Sequence, residues 1–131
     1  MTKTEKENPD EQPIRQAIDI FEDHFREIAT VNDWAVKMGR PNRRSFSDAF
    51  RRHYGSRPQP VLLAYRAKKA MQLLRNTTQS NFAIAQKLQL KDERGLYQFI
   101  RRQTGYTPTG VQKLPEPEYN ALIERLDNNI I

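Results

Sequence analysis

The 131-residue chain has no cysteine, which excludes disulfides, thiolate metal sites and cysteine nucleophiles and permits a reducing compartment. No apolar run approaches the length a bilayer requires, so no membrane contact is expected. The opening "MTKTEKENPDEQP" has neither an apolar core nor a cleavage site, and so does not read as a secretory signal. The two histidines, His24 and His53, share no acid spacing. Paired carboxylates, a Ser-His-acid set, a Gly-rich phosphate loop and metal-ligand spacing are all missing. An enzyme is therefore not expected, and neither is a cofactor or a metal. Period-two alternation never exceeds four residues, so the fold class is all-α.

Charge is present in quantity and unevenly placed. Residues 1–23 hold 3 basic and 7 acidic side chains, net −4. Residues 24–113 hold 18 basic and 5 acidic, net +13, and residues 114–131 hold 1 basic and 4 acidic, net −3. A basic block between acidic ends is the footprint of a polyanion binder.

The chain also repeats itself. "FRRHYGSRP" opens at Phe50 and "IRRQTGYTP" at Ile100, fifty residues on. The same shift carries Trp34 onto Ile84, Ala35 onto Ala85, Met38 onto Leu88, Gly39 onto Gln89 and Phe46 onto Leu96. The repeated unit is thus a short helix, a tight turn and a second helix. Ile14, Ile18, Phe21, Phe25 and Ile28 form one helical stripe before the first copy. Thr30, Asn42, Ser80 and Asp92 are the expected N-caps. A connecting helix is expected over about 61–75, with Pro58 and Pro60 as punctuation before it. Trp34 and the phenylalanines fall on inward positions and read as core.

A short helix, a turn and a longer helix with a polar outer face make a helix-turn-helix. The apolar pairs Phe46/Phe50 and Leu96/Ile100 hold each second helix to its core, leaving the other face free to enter a major groove. Arg51, Arg52, Arg101 and Arg102 stand at the C-terminal ends of these helices, as dipole compensation or as phosphate contacts. Arg43 and Arg44 stand at the start of the first, against the positive helix end, a placement that answers to an external anion.

These residues resemble the DNA-binding domain of AraC/XylS-type transcription regulators, over about 14–112. The pattern of the first half is met by Ala35, Phe46, Phe50, Gly55 and Pro58. That of the linker is met by Arg66, Ala70, Leu73, Leu74 and Thr77, and that of the second half by Ile84, Ala85, Ile100, Arg101, Gly105, Thr107 and Pro108. Gln89-Leu90 stand where the family has Gly-Phe, and Asp48 and Gln98 where it has an arginine. The turn "MGRPN" reads one residue longer than usual, and Gly95 falls inside the second recognition helix. The resemblance implies base reading by Arg43, Arg44, Ser47 and Asp48 in the first unit and by Glu93, Arg94 and Gln98 in the second. Arg44 or Arg94 would suit a guanine and Gln98 an adenine.

The expected organisation is a disordered acidic leader over 1–12, a first helix-turn-helix unit over 13–58, a linker helix over 59–76, a second unit over 77–113 and an amphipathic extension over 114–131. Each unit would be a homeodomain-like three-helix subdomain. The expected function is sequence-specific binding of double-stranded DNA by a cytoplasmic transcription regulator, monomeric on DNA and without a separate effector domain. RNA polymerase stands as a further partner class. The alternative is a protein-interaction module that has lost base reading and docks on another regulator or on the polymerase.

Overall fold

The computed structural model describes residues 11–130. Residues 1–10, most of the expected leader, lie outside the described residues. Glu11 and Gln12 are held: Gln12 N donates to Met38 O at 2.8 Å, and Arg40 pairs with Glu11 at 3.2 Å.

Among the described residues there are eight α-helices and no strand. They are α1 (Ala17–His24), α2 (Val31–Lys37), α3 (Arg43–Tyr54), α4 (Pro58–Asn76), α5 (Asn81–Lys87), α6 (Glu93–Thr104), α7 (Pro108–Lys113) and α8 (Glu116–Asn128). The chain divides into two compact units between Gln59 and Pro60.

The core of the first unit is aromatic. Trp34 lies 5.1–5.6 Å from the rings of Phe21, Phe46 and Phe50. Its indole N–H would be costly to bury alone, and it donates to Ala17 O at 3.0 Å. The stripe before this helix is not one continuous helix: 3-10 turns at Ile14–Gln16 and Phe25–Glu27 flank α1. Only Phe21 and Ile28 of the five stripe residues are fully buried.

The core of the second unit is aliphatic, built from Ile84, Leu88, Leu96, Ile100 and Val111 with Met71 and Leu74 of α4. The prolines at 58 and 60 do not precede α4 but form its first turn. A first-turn proline gives up an N–H that has no helical partner anyway. Pro108 does the same in α7, a helix absent from the sequence expectation, where Thr107 accepts from Gly110 N at 2.9 Å. In α8, Leu122 and Leu126 are buried. Lys68 pairs with Asp127 at 2.7 Å and Arg125 donates to Gln103 O at 3.5 Å, so the extension packs on the second unit.

One inward assignment fails. Phe82, at the second position of α5, is 53% exposed. Ile84, Ala85 and Leu88 already fill the buried face of that short helix, and a helix of two turns has no second one.

Candidate nucleic-acid interface

The second helix of each pair, α3 and α6, is set by the same local chemistry. Thr30 and Asp33 form a reciprocal capping box at α2, with Asp33 N to Thr30 Oγ1 at 3.1 Å and Thr30 N to Asp33 Oδ2 at 3.1 Å. Ser80 caps α5, Asn42 caps α3 and Asp92 caps α6, each accepting from the backbone N–H three residues on. All four caps stand where the sequence indicated.

The turns match in length. Arg40 N bonds to Ala35 O at 2.9 Å and Leu90 N to Ala85 O at 2.8 Å. Each runs from the helix end through a left-handed residue to the next cap. That left-handed residue is Gly39 in one copy (φ 69°) and Gln89 in the other (φ 56°). The carbonyl at 35 or 85 closes the turn, and this bond fixes the angle at which the second helix leaves.

α3 buries Phe46 and Phe50, and α6 buries Leu96, Ile100 and Thr104. The opposite faces carry the candidates. Arg43, Arg44, Asp48, Arg51 and Arg52 are exposed on α3, with Ser47 half-buried; Glu93, Arg94, Gln98, Arg101 and Arg102 are exposed on α6. Arg44, Ser45, Asp48 and Arg52 line one shallow hollow with Asn42. Arg43 and Ser47 face a different one, of about 320 Å³, with Val31, Arg57, Pro58 and Gln59. A hollow of about 420 Å³ in the second unit is lined by Glu93, Arg94 and Tyr97 with Asn81, Thr107, Pro108 and Thr109. Gln98, Arg101 and Arg102 lie outside it.

Apart from Arg15 and Arg57, whose side chains have no ion pair or hydrogen bond among the described residues although they lie off α3 and α6, the arginines fall into two groups. Arg40 bonds Gln12 O and Glu11. Arg66 is buried and donates to Leu88 O at 2.6 Å. Arg75 closes the end of α7 through Val111 O and Leu114 O and lies 4.3 Å from the centroid of the Tyr119 ring. Arg26 and Arg125 are engaged as well. By contrast, Arg43, Arg44, Arg51, Arg52, Arg94 and Arg102 have no ion pair and no side-chain hydrogen bond among the described residues. Arg101 reaches only the Gly105 carbonyl just past its own helix, at 3.3 Å.

Sequence reasoning passed over Arg57, Tyr97 and Thr109. The signal for Tyr97 was present: it is the fifty-residue counterpart of Ser47 and stands one turn past Glu93. No group of three or more His, Asp or Glu among the described residues is arranged to hold a metal. No helix among them is long and apolar enough to cross a membrane.

Two capped, equal-turned helix pairs, each with a polar outer face, define a protein with a duplicated helix-turn-helix. The helix-turn-helix domain family matches residues 30–113, which include both pairs and α4. The chain belongs to that family, in its AraC/XylS type. Among solved structures it is similar to the DNA-binding domain of AdpA, a global transcriptional factor, in complex with a target DNA. That likeness has 25% identity over 84% of this chain and 95% of the other, with a TM-score of 0.64. It is also similar in fold to the C-terminal domain of the two-component response regulator YesN from Fusobacterium nucleatum subsp. nucleatum. There the identity is 22% over 76% of this chain and 96% of the other, with a TM-score of 0.64. No curated protein sequence matches.

Proposed function

We propose that this chain binds duplex DNA in a sequence-specific manner and regulates transcription in the cytoplasm, one chain per site. The observation that carries this reading is the division of the arginines. Those away from the reading helices mostly bond within their own unit, while six of those on α3 and α6 are left without a partner among the described residues. Free guanidinium groups gathered on a helix face meet their hydrogen-bonding capacity outside the molecule, and phosphate and guanine edges suit their fork geometry. The similarity to a domain solved on its target DNA supports the same reading.

In this scheme Arg43, Arg44, Ser47 and Asp48 read base edges in the first unit and Glu93, Arg94 and Gln98 in the second. Arg51, Arg52, Arg101 and Arg102 hold the phosphates. Neither metal nor cofactor takes part, and no reaction is catalysed. RNA polymerase is the partner through which a bound regulator would act. The test is binding of random and selected duplexes at low and high salt. The expected result is a steep fall in affinity with salt on both and a persistent preference for the selected site. Equal, weak binding to every duplex at all salt concentrations would sink the reading in favour of a protein-interaction module.

A further inference from the structure

The hollow beside each reading helix is one feature present twice. A fifty-residue shift carries Val31, Arg43, Ser47, Arg57, Pro58 and Gln59 onto Asn81, Glu93, Tyr97, Thr107, Pro108 and Thr109. The walls correspond but their chemistry does not. Two arginines border the first hollow, whereas an acid, an aromatic ring and two hydroxyls border the second, with Arg94 as its cation.

Tyr97 is the outlier. Its side chain is 48% exposed on the outward face of α6, and it has no ring contact or hydrogen bond among the described residues. It stands one turn past Glu93 and beside Gln98. Leaving a large ring in water forgoes the free energy of burying it, so a partner that covers this face would gain by covering the ring. A helix lying in the major groove meets base edges and not base faces, so the ring has nothing to stack on there. The apolar feature that those edges offer is the 5-methyl group of thymine.

We propose that Tyr97 is a specificity-determining residue of the second unit that covers a thymine 5-methyl group; the proposal rests on the DNA-binding reading above. The first unit, with Ser47 at the matching position, has no ring to offer there. The experiment uses the duplex that the full chain selects from a random pool, with each thymine replaced in turn by deoxyuridine, which removes only the methyl. Wild type, Tyr97→Phe and Tyr97→Ser are compared. At one thymine the wild type is expected to lose about fourfold in affinity, the factor that matches one buried methyl at about 0.8 kcal/mol. Tyr97→Phe should lose the same factor there, and Tyr97→Ser should not respond. The proposal is overturned if no thymine responds in the wild type, or if Tyr97→Ser responds as fully as wild type. It is also overturned if Tyr97→Phe loses as much affinity as Tyr97→Ser on the unsubstituted duplex, which assigns the interaction to the hydroxyl and a phosphate. Failure to select any duplex overturns the DNA-binding reading together with this one. Selection without methyl sensitivity overturns this one alone.

Discussion

Arg66 is buried and its guanidinium donates to Leu88 O at 2.6 Å, closing the end of α5 from within the second unit. The Phe99 ring lies under it, 5.6 Å away at the centroid. Arg66→Met keeps the stem but orphans that carbonyl, so a loss of about 2 kcal/mol in urea unfolding is expected, with no change in the selected DNA site. Arg44 makes no such bond. Arg44→Ala is expected to stay within about 0.5 kcal/mol in stability, yet to relax preference at one base pair by about 1–3 kcal/mol, more than Gln98→Ala does. Selection from a random pool ranks the two, and a stronger effect at Gln98 reverses the assignment. Gln89 offers a third test, because it holds the left-handed position that Gly39 fills in the first copy. A side chain there costs about 1–2 kcal/mol over glycine. Gln89→Gly, although it adds unfolded-chain entropy, is expected to raise stability by roughly 1 kcal/mol in the same urea assay.

The helices that position the reading faces were legible because each announces itself twice, by a capping residue and by an apolar pair four apart. Thr30, Asn42, Ser80 and Asp92 all cap as their spacing indicated. The misses at the start of α4 and at α7 share a physical cause: proline reads as a breaker unless its position within the helix is known. Pro58, Pro60 and Pro108 each lie in a first turn, where proline's missing N–H costs no hydrogen bond. The candidate site was legible as far as charge and spacing reach. The repeat placed Tyr97 opposite Ser47 in the matched copy, but its exposure was not legible, since periodicity says which face a side chain occupies and not whether anything covers it. The α3 helix also touches the N-terminal turn, where the Tyr54 hydroxyl donates to Ile14 O at 3.1 Å. Burial first, and then the Asp19 carboxylate, push that hydroxyl above its ordinary value. The folded unit therefore holds the proton more tightly than the unfolded chain does. This stability is complete below about pH 10 and is lost as pH rises through the raised folded value. Tyr54→Phe is expected to cost about 1 kcal/mol at neutral pH and to flatten the alkaline limb. The fluorescence of Trp34, the lone tryptophan, reports it from the first unit.

At the scale of the whole molecule, the proposed reading helices α3 and α6 differ at three of six matched candidate positions. Arg43, Ser47 and Asp48 face Glu93, Tyr97 and Gln98 as counterparts, and only the arginines at 44, 51 and 52 recur at 94, 101 and 102. Palindromic operators mirror two-fold symmetric proteins. On the proposed reading, a tandem repeat with unlike readers is expected to match a site without a dyad, filled by one chain. The recurring arginines at the helix ends carry no base information in this scheme and set affinity alone. Changing Arg51 and Arg52 to Ala, or Arg101 and Arg102 to Ala, is therefore expected to weaken binding to selected and random duplexes alike. Each pair should lower the slope of log affinity against log salt by roughly 2, or about 1 for every phosphate no longer neutralised. The mass of the complex on the selected duplex should equal one chain plus DNA, and the selected sequence should lack two-fold symmetry. An unchanged slope would return these four side chains to compensating the C-terminal ends of α3 and α6, where a charge contributes a few tenths of a kcal/mol to helix stability. A palindromic site holding two chains would mean that one unit per chain does the reading, with the other serving the fold.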